Sequence, residues 1–360
     1  NGGEELNWTV NVGGGDFFRL FDPSGERQPH AAMKAHYRRY GPCLTEVEYS
    51  GQISEGIEHT KSVSIARTND LLRATYRIRL DVDKPCAFSR FVIFQVGADT
   101  YNKTYETLFA VGNEEGLLSQ WKTKRGGARY SSSPTHLPGE IPWISMHEGE
   151  PLSSAPIQGA WANRGIILRS WHARLGGKPA GPWVAEYGND AGGASSATVD
   201  IVPPPSIREQ RPGDFVEATI EHIILPQSRE DYTGPDERLK TTLEKKANTW
   251  EMVEREANGN NRKLHIQKGE LLHSYPDIRI KSDRGSVSFT LEGGLGYVPI
   301  TITGLGSPNE GKLKIDDIIL DQAIHGNDFW QTNYDSMSKT WSRTYNIKTP
   351  EKKTVRIGFD

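Results

Sequence analysis

Between Trp121 and Tyr187 the chain gathers ring faces and forked donors into glycine- and proline-rich sequence. Trp121, Arg125, Arg129, Tyr130, His136, Trp143, His147, Trp161, Arg169, Trp171, His172, Arg174, Trp183, Glu186 and Tyr187 all fall there. Aromatic rings stack on the apolar sides of pyranoses, and guanidiniums hold carboxylates in two-point contacts, so this mixture points to sugar recognition. In Arg169-Ser170-Trp171-His172-Ala173-Arg174, strand alternation puts Arg169 with Trp171 on one face and His172 with Arg174 on the other. A His beside an Arg suits β-elimination from a uronic acid. His172, or His136 in its place, would take the C5 proton while Arg169 or Arg174 holds the carboxylate. Tyr187 or Tyr130 would protonate the leaving oxygen.

Two other uses of the same residues stay open. Glu186 with Glu148, Glu150 or Asp190 could form the acid and base of a glycoside hydrolase. Trp143, Trp161, Trp171 and Trp183 could instead form a stacking platform in a non-catalytic glycan-binding module. Arg129, in the basic stretch Lys122 to His147, would clamp an acidic sugar in any of these.

The elements that must position these side chains read as strands. Leu44 to Tyr49, Val63 to Ile65 and Leu72 to Leu80 alternate apolar and polar residues with period two. Gly (37) and Pro (21) cut the chain into short runs rich in Val, Ile, Tyr, Phe and Thr, the profile of an all-β protein. The exception is Asp236 to Ala257, where Leu239, Leu243, Ala247, Trp250 and Val253 recur at helical spacing. The expected architecture is a large antiparallel β-sandwich over residues 1–235, one linking helix over 236–258, and a smaller C-terminal β-sandwich over 259–360.

The segment Tyr40-Gly41-Pro42-Cys43-Leu44-Thr45-Glu46-Val47-Glu48-Tyr49-Ser50-Gly51, with Ser64 to Arg73 after it, resembles the strand pair, turn and long strand of galactose-mutarotase-like super-sandwich domains. Such domains occur in polysaccharide lyases and glycoside hydrolases. The resemblance implies a super-sandwich fold and carbohydrate chemistry; it carries no catalytic motif of one family, and the α/α toroid that accompanies the sandwich in many lyases has no counterpart here. The leading expectation is a polysaccharide lyase acting on a uronic-acid glycan.

Composition narrows the partners. A net charge of −3 with 25% charged residues gives no basic field for nucleic acid. No run approaches the ~18 apolar residues of a membrane-spanning helix. Asn1-Gly2-Gly3 lacks the basic and apolar regions of a signal, so an exported, extracytoplasmic protein would be met here without one. Cofactors are not demanded, but Asp316, Asp317 and Asp328 form an acidic cluster that could hold Ca²⁺. Cys43 and Cys86 could pair as a disulfide or stay as small core residues.

Overall fold

A computed structural model describes residues 15–66, 72–99, 105–122, 130–131, 133–151, 164–191, 194–224, 241, 249–259, 263–292, 297–320, 330–348 and 354–360. The protein is all-β, built of antiparallel sheets with one described helix, Thr249–Gly259. A six-stranded sheet runs in the order Gly15–Phe21, Arg90–Asp99, Ala194–Val202, Trp183–Ala191, then the short edge strands Tyr130–Ser131 and Thr135–His136. A ten-stranded sheet faces it. Its centre is Leu72–Val82, Phe215–Ile224, Arg164–Leu175 and Trp143–Pro151, and one edge is Ala31–Arg39. Period-two alternation sends Ile78, Leu80, Leu168, Ile220, Phe94, Val184, Val199 and Ile201 into one shared core between the sheets.

The ten-stranded sheet also buries much of its outer face. There Trp143, Ile167 and Ile223 meet Met252, Val253 and Ala257 of the helix, whose Trp250 ring lies parallel to Trp143 at 6.4 Å. The helix can come this close because Gly112 and Gly165 lie beneath it. A Cβ on Gly112 would strike the Trp143 ring, and one on Gly165 would strike Val253.

A second core belongs to two five-stranded sheets formed by residues 263–360. The apolar-rich stretch Leu313 to Leu320 is broken into Leu313–Ile315 and Ile318–Ile319 by a two-residue turn. Asp316 (φ 48) and Asp317 (φ 67) both take positive φ there, as a tight hairpin of right-handed twist requires. Ile278–Lys281 pairs in parallel with Tyr297–Leu305, a departure from the antiparallel rule.

Polar joints tie this part to the large sandwich. The Gln331 carboxamide accepts from Cys43 N (2.8 Å) and Leu44 N (2.9 Å) and donates to Leu44 O (2.7 Å), acting as one extra rung on a strand end. Arg279 bridges Asp277 (3.1 Å) and Glu46 (3.2 Å). Cys43 and Cys86 are free thiols, so the disulfide alternative is ruled out and Cys43 is a buried core residue.

Three histidines, His59, His147 and His222, are sealed inside this scaffold. Burial holds His147 down at about 4, burial with His30 and Lys61 nearby holds His59 at about 4, and burial reinforced by the Arg164 guanidinium holds His222 at about 3. The unfolded chain takes up protons on all three below about pH 6.5 while the native state does not, so stability is present above that pH and is lost as pH falls. Urea unfolding at pH 5 should give a stability about 5 kcal/mol lower than at pH 7. Replacing His222 with Leu should flatten the slope, and equal stability at the two pH values would refute this origin.

Candidate functional site

The residues singled out by sequence separate onto different surfaces. A β-bulge between Leu168 and Ser170 shifts the alternation of Arg164–Leu175. Trp171 therefore turns inward, packing on the core and donating its indole N–H to Ala180 O at 2.8 Å. Arg169 joins His172 and Arg174 on the outward face, so the expected pairing of Arg169 with Trp171 is corrected.

Arg169 is also fully engaged. It donates to Glu221 through Nε (2.8 Å) and to the last-turn carbonyls of Glu256 (2.9 Å) and Ala257 (2.8 Å), capping the helix. Burial pushes the Glu221 carboxyl up, but Arg169 and Arg73 outweigh it and hold it at about 2. A guanidinium committed in this way has no donors left for a substrate carboxylate. Exposed His172 rests edge-on against Phe215, with exposed Arg174 farther along the same outer face.

Trp143 is also corrected: it is fully buried beneath the helix, its indole N–H donating to Asn113 O at 3.1 Å, and offers no face to a sugar. Glu186 points into the interior and accepts from Trp121 Nε1 at 3.0 Å. Asp316 is spent on its turn, Oδ1 accepting from Arg356 N at 2.9 Å, and Asp317 lies 3.5 Å from the Arg356 guanidinium. Among the described residues no group of three His, Cys, Asp or Glu side chains could hold a metal. Arg129, Trp161 and Asp328 lie outside the described residues, as do the side chains of Tyr130, Glu148, Glu150 and Asp190.

What the fold does bring together is the outward face of the six-stranded sheet. Val184 and Glu186 turn in, so Trp183, Ala185 and Tyr187 turn out. Register sets Asp200 between Ala185 and Gln95, and Thr198 opposite Tyr187. At the edge Thr135–His136 pairs with Trp183–Val184, and the rings of exposed His136 and half-buried Trp183 lie 5.4 Å apart. Gly181 leaves room for this imidazole, since a Cβ there would sit 2.9 Å from His136 Nε2.

Asp200, 1% exposed, anchors the polar part of this face. It accepts from Gln95 Nε2 (2.7 Å) and Thr198 Oγ1 (3.0 Å), and it is ion-paired with Arg90. Arg19 donates to Gln95 Oε1 at 2.7 Å. Held by Asp200, the Arg90 guanidinium stacks 3.8 Å above the Tyr187 ring and also reaches Phe21 at 5.3 Å. Sequence reasoning missed Arg90, Gln95 and Asp200 because each lies in a strand far from the aromatic stretch; only pairing across the sheet joins them to Tyr187.

No family model matches the chain, and no curated protein matches it in sequence. Among solved structures the chain is similar to the galactosidase domain of an α-galactosidase-sucrose kinase, with a TM-score of 0.31 and 7% identity over 57% of this chain and 29% of that one. It is also similar to the α-galactosidase from Lactobacillus brevis (TM-score 0.32, 8% identity, 59% of this chain, 29% of that one). A third is the GH36 α-galactosidase from Geobacillus stearothermophilus in complex with raffinose (TM-score 0.33, 7% identity, 60% of this chain, 30% of that one). The chain thus spans less than a third of the length of these structures. Residue roles do not transfer at such similarity.

Removing Asp200 would leave Arg90 and Gln95 facing a buried void. Asp200→Ala should cost roughly 2–3 kcal/mol in urea unfolding, below the range for a fully buried pair because Arg90 is partly exposed. A change under about 0.5 kcal/mol, the scale of an ordinary surface substitution, would show that the network adds nothing.

Proposed function

We propose that the protein is carbohydrate-active and that the outward face of its six-stranded sheet binds a glycan chain. The observation that carries this is two ring-bearing stations on one strand face, Trp183 with His136 and Tyr187 with Arg90. Four residues of strand separate them, roughly 13 Å, which suits an oligosaccharide better than a single sugar. Trp183 would stack on a ring, and the Arg90 edge and His136 would bond hydroxyls. Both guanidiniums described on this face are engaged, Arg90 by Asp200 and Arg19 by Gln95, which favours hydroxyl recognition over carboxylate capture.

The catalytic readings have weaker support. His172 lies on the outer face of one sheet and Tyr187 on the outer face of the other, with the core between them, so they cannot serve one elimination. His136 and Tyr187 share a face, but their strand positions are too far apart for a base and an acid acting on one sugar unit. Glu186 faces the interior, away from any open-face carboxylate partner.

Retention on immobilised polysaccharides should be lost or weakened about tenfold by Trp183→Ala, roughly 1.4 kcal/mol, and left unchanged by His172→Ala. Equal retention of the Trp183→Ala chain would remove this face from the reading. Reducing ends released by the wild type with no rise in absorbance would assign hydrolysis, and unsaturated-uronide absorbance rising together with reducing ends would assign elimination.

A further inference from the structure

His59 is a buried histidine that the glycan face does not use. It is 2% exposed, and neither ring nitrogen has a hydrogen-bond partner. An imidazole sealed in this way forfeits its hydrogen bonds to water unless something else uses its lone pair. Its surroundings explain what that could be.

His59 stands directly across from Gly51 in the pairing of Leu44–Ser54 with Ile57–Ala66. On the other side of Gly51 the edge strand Ala31–Arg39 is irregular. Its register shifts between Ala31 and Lys34, and Ala32 takes a φ of 53, a left-handed conformation uncommon for a residue with a Cβ. The bulge folds Met33 back over Gly51. A Cβ on Gly51 would strike Met33 Sδ and would stand 3.2 Å from His59 Nε2 and 3.1 Å from Ala31 O. Two strands thus hold a thioether sulfur, an imidazole nitrogen and a carbonyl oxygen around Gly51 of the strand between them.

We infer that this cluster is a binding site for a soft monovalent cation, Cu(I), with Met33 Sδ and His59 Nε2 as its ligands and Ala31 O as a weaker third donor. The donor set selects the ion: thioether and imidazole favour Cu(I), whereas Ca²⁺ and Mg²⁺ require carboxylate and carbonyl oxygens. His30 forms the adjoining wall, its ring 4.8 Å from His59 and its Nε2 on Phe18 O at 3.1 Å. The Lys61 ammonium is drawn over the Phe17 ring, 4.3 Å from its centroid. A single positive charge is easier to accept beside these groups than a double one.

The test uses Ag(I), a redox-inert stand-in for Cu(I), on the Cys86→Ser chain, since the partly exposed Cys86 thiol would compete. The methionines are labelled with ¹³C at the methyl group and followed by NMR. Met33 and Met337 are the exposed pair, 43% and 83%, and Met337 serves as the internal control for adventitious thioether binding. The expected result is one Ag(I) per chain, with the Met33 methyl moving first. Affinity should fall at least about tenfold in Met33→Leu, and the site should be lost in Gly51→Ala, where the new methyl meets Met33 Sδ. Met33 is on the surface, so its Leu variant folds even if Gly51→Ala does not. Met33 and Met337 shifting together, or unchanged affinity in Met33→Leu, would overturn the site.

Discussion

The carboxylate of Glu221 is the interaction on which the rest of the molecule hangs. It sits in the central strand Phe215–Ile224, receives Arg169 from the strand on one side and lies 3.3 Å from Arg73 on the other. Arg73 also pairs with Glu256 of the helix at 2.5 Å, and Arg169 caps that helix and lies 5.6 Å from the Tyr275 ring centroid in the C-terminal part. Thr75 meets the Tyr275 hydroxyl at 3.2 Å, and Arg77 donates to the Tyr275 carbonyl. Four charges have been taken out of water here, which is tolerable only because each meets an opposite charge or a carbonyl. Large sandwich, helix and small sandwich converge on this one buried network.

That joint decides where a ligand can bind. The inner face of the ten-stranded sheet is covered by its partner sheet, and much of the outer face by the helix and by Tyr275. What stays open on the outer face is the end bearing His172, Arg174, Arg79 and Glu217, an exposed ladder in which Arg79 is paired with Asp81 and Glu217. The outward face of the six-stranded sheet differs. Its charges are buried at the base, around Asp200, and its rings stand above them. A buried polar base that fixes the orientation of aromatic side chains is the arrangement expected of a pre-organised recognition surface.

Much of the fold was legible because strand alternation is local. Thr354–Phe359, Lys263–Lys268 and Val287–Glu292 form over runs in which apolar and polar residues alternate. The helical stripe of Trp250 and Val253 does face a sheet. The edge strand Trp330–Asp335 was missed: its neighbours 321–329 interrupt the pattern, and its buried residues Gln331 and Asn333 are polar, their work being to bond the other sandwich.

The site was less legible, for a physical reason. Trp143 and Trp183 are the same residue type in similar sequence, yet one is fully buried under a helix contributed from more than 100 positions away and the other is half-buried on the outward side of a sheet. One bulge at Leu168 puts Arg169 and Trp171 on opposite faces, and no rule of period two can foresee it. The sequence by itself determined an all-β chain, its short strands, its single amphipathic stripe and a wealth of rings and guanidiniums, because these depend on residues within a few positions of one another. Only the tertiary structure decided which of those groups are structural and which face solvent. Burial and charge pairing are set by distant strands: Glu221 claims Arg169, the helix claims Trp143, and Asp200 sets Arg90 over Tyr187.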